Sequence, residues 1–381
     1  MALSIPALKE IVGDEFGANP FWTHAFMAIN LVGAALAAPW IARMRGKCPL
    51  RGVATIALIG SGLLFLAMDQ APNLPTLFAL RFCEGACHIT ALTCVLAIAA
   101  GSGAPRGRTM GTVGAAMMLG TAAGTRMGGV AWERWPEAMF VVACLLSLLA
   151  ALLATLALGR SPAASTNDAP SISTPRVGLL SVFRQDPRVL TPWVFGFVDR
   201  FCVGVIISSF GLFLEAGHGL DPAQRSRALA MFLAPFALLI YPAGRFVDRV
   251  GPIGPLLGGS LGFGLVMSAY GFIPTSWLTG VMVLSGALSA LMFTPTLTLC
   301  AQFAPPAGRA AAFAGFNAAG SLGFIAGPML AGVIMQVIAP QVGEIAGYQI
   351  VFIVAGLAQA ACVLAYVPLA QRAPRRCPAA T

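Results

Sequence analysis

Five ionisable side chains lie inside strongly apolar segments of this 381-residue chain: Arg81, Glu84, Arg126, Asp199 and Arg200. A charged group is expensive in hydrocarbon, so such residues face the interior of a helix bundle, pair with one another, or mark the path of an ion or substrate. A carboxylate can take up and release a proton, and a guanidinium can hold an anionic group. These five residues are therefore the first candidates for a functional site.

Glu84 and Arg126 are predicted to approach each other. Their two apolar segments form a hairpin around a loop near Pro105, so residues whose numbers sum to about 210 lie at the same depth at equal rise per residue. Glu84 is then either a proton-binding group that responds to substrate or to a conformational change, or one member of a structural ion pair. A neighbouring arginine favours the ionised carboxylate, which supports the structural interpretation.

Asp199 lies about ten residues into its apolar segment, near the middle of a membrane at 1.5 Å per residue. This position makes Asp199 the stronger candidate for proton coupling. The alternative is a gate in which Asp199 binds Arg81 or Arg126 across the two halves of the protein. Arg200 is adjacent in sequence but points about 100° away on a helix, so the two side chains need not pair.

His88 lies one helical turn beyond Glu84, with Cys83 and Cys87 nearby. A metal site uses such ligands, but two or three ligands from one helix do not complete a coordination shell. We therefore predict no metal and no cofactor. His88 is instead expected to be a polar contact in a cavity wall or a proton relay.

A substrate cavity is the second candidate site, and its predicted wall also includes His88. Thr90 and Thr93 on one apolar segment, with Met292, Phe293 and Thr296 on another, give a soft, hydroxyl-bearing surface that suits an amphipathic or lipophilic small molecule. Ordinary helix packing is the alternative explanation for the same residues. The excess of arginine over acid in the apolar segments favours an anionic or zwitterionic substrate.

The elements that position these residues are membrane-spanning helices. The chain is 58% hydrophobic and 10% charged, which excludes a water-soluble protein and indicates an all-α polytopic membrane protein. The polar segments contain no nucleotide-binding loop, no serine-histidine arrangement and no complete set of metal ligands, so we predict no enzymatic activity. Apolar stretches of about 20 residues predict eleven spans, at 20–42, 53–69, 76–100, 109–131, 138–159, 189–214, 226–247, 254–273, 278–302, 309–336 and 346–370.

Arginine and lysine fall mainly on one side of these spans, and the net charge is +9. Positive residues are retained in the cytoplasm, so we expect a multi-pass protein of the cell membrane, in bacteria the inner membrane, with the termini of the full-length protein cytoplasmic. The charge therefore reports topology and contact with lipid rather than nucleic acid. The predicted domains are a helical bundle at 1–159, a polar cytoplasmic linker at 160–187, a second bundle at 188–371 and a tail at 372–381.

A glycine pattern occurs at equivalent places in the two halves, which indicates a duplication. Closely spaced small residues let another helix backbone approach, which drives helix association in lipid. The first copy comprises Gly111, Gly120, Gly124, Gly128 and Gly129, and the second comprises Gly323, Gly327, Pro328 and Gly332.

Three motifs resemble the major facilitator superfamily. Gly244, Asp248, Arg249 and Gly251 match the family's G-x3-D-R-x-G loop, in which the Asp can lie near the positive N-terminus of a neighbouring helix. The first-half counterpart of this loop has Ala42 where the acid stands. The segment from Arg81 to Gly85 is similar to the family's R-x-x-x-G element. The first glycine pattern resembles the fifth-helix signature of antiporter branches, with Thr125 in place of proline.

This resemblance implies two six-helix bundles related by a pseudo-twofold axis, with the first helix largely missing because Ala2 to Leu8 look like the end of a twelfth span. It also implies a gating role for the G-x3-D-R-x-G loop. We expect a monomeric secondary transporter that exports a small organic molecule in exchange for protons by alternating access. The alternatives are a proton-coupled importer of a small metabolite, and a sensor or assembly protein that does not transport.

Overall fold

The computed structural model describes residues 20–44, 49–102, 104–135, 138–159, 178–220 and 222–372, together with Phe16. The described residues form helices and short connections, and none of them forms a strand. The predicted span end at Ala2 to Leu8 and most of the linker, residues 160–177, lie outside this range. So do the tail from residue 373, the side chains of Thr125 and Arg126, and the surroundings of Gly128 and Gly129.

The first half contains five long helices. They are α1 (Pro20–Met44), α2 (Leu50–Asp69), α3 (Leu74–Ala100), α4 (Arg106–Arg134) and α5 (Met139–Gly159). A short helix, α6 (Leu179–Gln185), lies within the second part of the predicted linker.

The second half begins with an interrupted helix: α7 (Leu190–Val205) continues through a π-helical turn at Ile206–Phe210 into α8 (Gly211–His218). Five long helices and one short helix follow. They are α9 (Pro222–Val250), α10 (Ile253–Ala269), α11 (Leu278–Phe303), α12 (Arg309–Val337), the short α13 (Ala339–Val342) and α14 (Glu344–Arg372).

All eleven predicted spans are helical. Among the described residues, nine helices are long and apolar enough to cross a membrane. The remaining two predicted spans correspond to α1 and α4, which are 25 and 29 residues long. The protein is therefore an all-α, multi-pass membrane protein, as its composition predicts.

Local sequence signals explain several helix boundaries. Asn73 caps α3 by accepting a hydrogen bond from the backbone N–H of Thr76 at 3.0 Å. Gly219 and Gly251 follow α8 and α9 with φ of 62° and 84°, a left-handed conformation that glycine adopts without the penalty of a Cβ. Gly251 is the last residue of the predicted gating loop, so this position needs glycine to turn the chain.

The two halves repeat the same packing. In the first half α1 packs on α3, α2 on α3 and α2 on α5; the corresponding pairs in the second half are α9 with α11, α10 with α11 and α10 with α14. The contacts between the halves are also paired, since α1 packs on α12 and α4 packs on α9. Helix α7 packs on α12, α14 and α11. This arrangement is the pseudo-twofold symmetry expected from the duplicated sequence.

One end of the bundle, which we call the basic end, contains the loops at 101–105, 251–252 and 304–308. Five arginines near these loops give it its name: Arg106, Arg108, Arg245, Arg249 and Arg309. At this end an apolar cluster of nearly fully buried residues includes Leu96 and Met110 of the first half with Ala310 and Phe313 of the second. The two halves are therefore in tight contact at the basic end.

Candidate functional site

The predicted gating loop joins the two halves. The two carboxylate oxygens of Asp248 accept hydrogen bonds from the backbone N–H groups of Gly107 and Arg108, each at 2.7 Å. These N–H groups belong to the first turn of α4, where helix donors have no partner within the helix and a negative charge is favourable. Asp248 therefore caps a helix of the opposite half.

Glycines make this contact possible. A Cβ on Gly244 would collide with the carbonyl oxygen of Gly107 and would lie 3.1 Å from the Cα of Gly111. A Cβ on Gly111 would in turn lie 3.0 Å from the carbonyl oxygen of Ile240. The backbones of α4 and α9 thus approach closely at the basic end, and larger side chains would separate the halves.

The second copy of the glycine pattern also lies at a close approach. A Cβ on Gly323 would collide with the carbonyl oxygen of Phe197, and one on Gly327 would collide with that of Phe201. Pro328 follows, with its Cδ 3.0 Å from the Cβ position of Gly204. Helix α7 therefore lies directly on the glycine face of α12.

The first copy is in contact only in part, since Gly111 lies at the close approach to α9 and Gly120, the counterpart of Gly323, does not. A Cβ on Gly120 would meet nothing within 4 Å, and the five residues from Leu119 to Ala123 are all exposed. Gly332, at the far end of the second copy, is similarly open. The matching glycines of α4 and α12 therefore have different surroundings.

Glu84 lies in a buried polar cluster of the first half. Its Oε2 accepts hydrogen bonds from Asn30 Nδ2 at 2.6 Å and from Arg81 Nη1 at 2.8 Å, and its Oε1 accepts one from Ser61 at 3.2 Å. Arg81 is 1% exposed and Glu84 is fully buried, so the charges compensate each other away from water. The guanidinium of Arg81 also lies over the ring of Phe26, with 5.2 Å from Cζ to the ring centroid.

The pairing of Arg81 with Glu84, three residues apart on α3, was not predicted. The predicted contact between Glu84 and Arg126 concerns a side chain outside the described residues, so it stays a prediction. The predicted gate between Asp199 and Arg81 has a competitor, because Arg81 already binds Glu84. Asn30 was also missed, although a lone amide within an apolar span is a signal that could have identified it.

Asp199 and Arg200 do not pair with each other. Arg200 lies with its Cζ 4.6 Å from the ring centroid of Phe316, and its Nη1 donates a long 3.4 Å hydrogen bond to the carbonyl oxygen of Gly196. Gly320 makes room for this arrangement, since a Cβ there would collide with the Arg200 side chain. Within the described part of the chain, partly exposed Asp199 has no hydrogen-bond or ion-pair partner.

Most of the predicted cavity residues are buried in helix packing. Thr90 donates to the carbonyl oxygen of Ala86 at 2.7 Å, and Thr296 donates to that of Met292 at 2.6 Å. Phe293 lies at the contact between the halves, with a ring carbon 3.0 Å from the Cβ position of Gly114. His88 is partly exposed, whereas Thr90, Met292, Phe293 and Thr296 are nearly inaccessible.

The described residues contain no group of three or more His, Cys, Asp or Glu side chains that could hold a metal ion. The seven described cysteines are free thiols.

The profile of the Major Facilitator Superfamily matches residues 1–221 and 193–380. The chain belongs to this superfamily. Its members are transporters, so the protein is a membrane transporter by family and not an enzyme. The G-x3-D-R-x-G resemblance and the pseudo-twofold packing are thereby explained.

Known proteins similar to this superfamily member differ in what their names say they transport. The tetracycline resistance protein, class B, of Escherichia coli is 30% identical over 147 residues, which are 38% of this chain and 36% of that protein. The match therefore spans little more than a third of that relative. The human organic anion transporter MFSD10 (TETRAN) superposes with a TM-score of 0.74 at 16% identity, over 94% of this chain and 88% of that one. The proton:xylose symporter XylE, bound to 6-bromo-6-deoxy-D-glucose, gives 0.71 at 13% identity, over 96% and 91%.

Proposed function

We propose that this protein exports a small organic molecule in exchange for protons. The two halves would move against each other around a site in the middle of the membrane, as in alternating access. The observation that carries this proposal is Asp199, a carboxylate about 14 Å into α7 at 1.5 Å per residue, which has no fixed partner among the described residues.

A carboxylate without a partner suits proton exchange better than a buried and fully bonded one. Glu84 accepts three hydrogen bonds and compensates Arg81, so protonating it would disrupt a buried cluster. Asp199 is partly exposed and can lose or gain a proton without breaking a bond to another described residue. We therefore assign proton coupling to Asp199 and a structural role to Glu84.

Arg200 supports an anionic or zwitterionic substrate. Its guanidinium is held on the face of Phe316 and has no carboxylate partner among the described residues, so its remaining donors are available to an anionic group. The name of the human MFSD10 protein, an organic anion transporter, agrees with this substrate class. The name of the tetracycline resistance protein favours export, since a membrane transporter can give resistance by removing the drug from the cell.

The proposed orientation places the basic end in the cytoplasm, because arginine and lysine are retained there. We further propose that the protein works as a monomer in the bacterial inner membrane. Asp248, Arg249 and the glycines around them would then form the cytoplasmic closure of the transport pathway.

The test is transport in liposomes that contain the purified protein, driven by a pH jump. The compounds are pairs of aromatic carboxylic acids and their neutral amides, because each pair differs in charge and little in shape. We expect proton-driven transport of acids, with Asp199→Asn abolishing the dependence on the pH gradient and Arg200→Gln abolishing the preference for acid over amide.

Matched controls are Glu215→Gln, which removes an exposed carboxylate paired with Arg225, and Arg184→Gln, which removes an exposed arginine on α6. Both should transport as the parent does. Transport that keeps its pH dependence in Asp199→Asn would contradict proton coupling and assign Asp199 to a gate. Equal transport of acids and amides by the parent would contradict the anionic substrate.

A further inference from the structure

A buried hydrogen bond connects the two halves inside the membrane region. Asn317 of α12 donates from Nδ2 to Oγ1 of Thr93 on α3 at 3.0 Å. Thr93 is fully buried and Asn317 is 4% exposed. A polar contact of this kind can form only while α3 and α12 are together, so it reports the relative position of the halves.

The pair lies within the closed end of the bundle. Thr93 is about 10 Å from the basic end of α3, and Asn317 about 12 Å from the basic end of α12, at 1.5 Å per residue. Apolar residues at this end separate the pair from the solvent, since Leu96 and Ala97 of α3 are buried in the same cluster as Phe313 of α12. Opening the basic end would require this bond to break.

We propose that Thr93 and Asn317 form a polar latch, a matched pair that lets the basic end close without an unpaired buried polar group and reopen into water, an inference that rests on the alternating access proposed above. In the closed state each group satisfies the other away from water. In the open state water satisfies both. When one partner is removed, the other group is bonded neither to a partner nor to water in the closed state. Removing one partner therefore favours opening.

The two partners are not equivalent. A threonine hydroxyl can turn to the carbonyl oxygen four residues earlier in its own helix, as Thr90 does with Ala86. When Asn317 is removed, the Thr93 hydroxyl can therefore still make a hydrogen bond, as a donor within its own helix. Asn317 has two amide donors and would be left unpaired against apolar neighbours when the Thr93 hydroxyl is removed. The extent of opening is therefore expected to be greatest in Thr93→Val and smaller in Asn317→Leu. The double variant should open about as much as the parent.

The experiment measures how fast a membrane-impermeant maleimide labels a cysteine that the closure protects. The reporter is Ala97→Cys, one turn from Thr93 and 3% exposed, in a background in which the nine native cysteines are replaced. Nanodiscs expose both ends of the protein, so the assay assumes no topology. Rates are divided by those of Ser102→Cys, an exposed loop position at the same end.

We expect Thr93→Val to accelerate labelling on the order of tenfold, because an unsatisfied buried amide destabilises the closed state relative to the open state by about that factor. Asn317→Leu should accelerate it less, and the double variant should return to within about threefold of the parent, since it leaves neither group unpaired. Thr298→Val is the matched control. Thr298 is as buried as Thr93, but its hydroxyl donates to the carbonyl oxygen of Thr294 in its own helix. Removing this hydroxyl should therefore not open the basic end.

Two results would overturn the latch. The first is a Thr93→Val rate equal to that of Thr298→Val in protein with the melting temperature of the parent. The second is a double variant that labels faster than either single variant, because the groups then act independently. The assay needs neither substrate nor proton gradient. A failed latch with intact pH-driven transport, or an intact latch without transport, therefore separates the two proposals.

Discussion

Helices α4 and α12 have matching glycine patterns but different surroundings. On α12, Gly323 and Gly327 face the carbonyl oxygens of Phe197 and Phe201, and α7 lies directly on the glycine face. On α4, Gly120 meets no atom within 4 Å of its Cβ position, and the residues around it are exposed. At the matching positions Gly323 and Gly120, the same spacing thus produces a tight contact once and an open face once. A glycine pattern permits the close approach of another helix. It stabilises the fold only where such a helix packs against it.

The acids within the spans of the two halves differ in the same way. Glu84 in the first half is enclosed by Arg81, Asn30 and Ser61, whereas Asp199 in the second half has no described partner. Each half therefore combines one feature that is tightly held with one that is left open. We infer that the held features maintain the fold, and that the open ones are where the protein can respond to a proton, a ligand or another helix.

The largest effect is expected from the glycines. Gly323→Leu forces a branched side chain against the backbone of α7, which costs more than about 3 kcal/mol because backbone gives way less readily than a side-chain end. Little folded protein should remain, as measured by the monodisperse fraction in size-exclusion chromatography and by the melting temperature. Gly120→Leu is the matched variant, and its effect should be within about 0.5 kcal/mol because the position is open. Equal losses at both glycines would break the comparison between α4 and α12.

The next largest effect is expected from the two acids. Glu84→Gln leaves the Arg81 guanidinium without its counter-charge in a buried site, which costs about 3 kcal/mol. Asp199→Asn removes no described contact, so the free energy of unfolding should change by less than about 0.5 kcal/mol. Chemical denaturation in mild detergent measures both. A stable Glu84→Gln variant would return Glu84 to the candidates for proton coupling.

The sequence predicts the helices well and the partners of their polar residues poorly. Eleven spans follow from apolar length, because hydrocarbon thickness and backbone hydrogen bonding leave few alternatives. The contact of the Asp248 carboxylate with a helix N-terminus was anticipated from the chemistry of the motif. The partners of Glu84 were not, because the depth argument compared only the two helices of a hairpin. It overlooked Arg81, one turn away on α3 itself, and it did not include α1 and α2, which supply Asn30 and Ser61. Contacts between distant segments, such as Thr93 with Asn317, depend on how whole helices pack, and no local pattern encodes them.

The smallest effect is expected from substituting Asp248, whose carboxylate makes the polar contact between the tightly packed ends of α4 and α9. Asp248→Ala removes two hydrogen bonds to the first turn of α4 and the favourable charge at that helix end, a loss of about 1 to 2 kcal/mol. The melting temperature should fall by a few degrees, and Asp248→Asn should recover part of the loss because one amide oxygen can still accept.

In α12 the corresponding first turn follows Gly308, which has no side chain to cap it. The halves therefore differ at this end as well, and the same substitution should also accelerate labelling of Ala97→Cys, since the closure loses a contact independent of Thr93 and Asn317. An unchanged labelling rate would show that the cap stabilises α4 without holding the halves together.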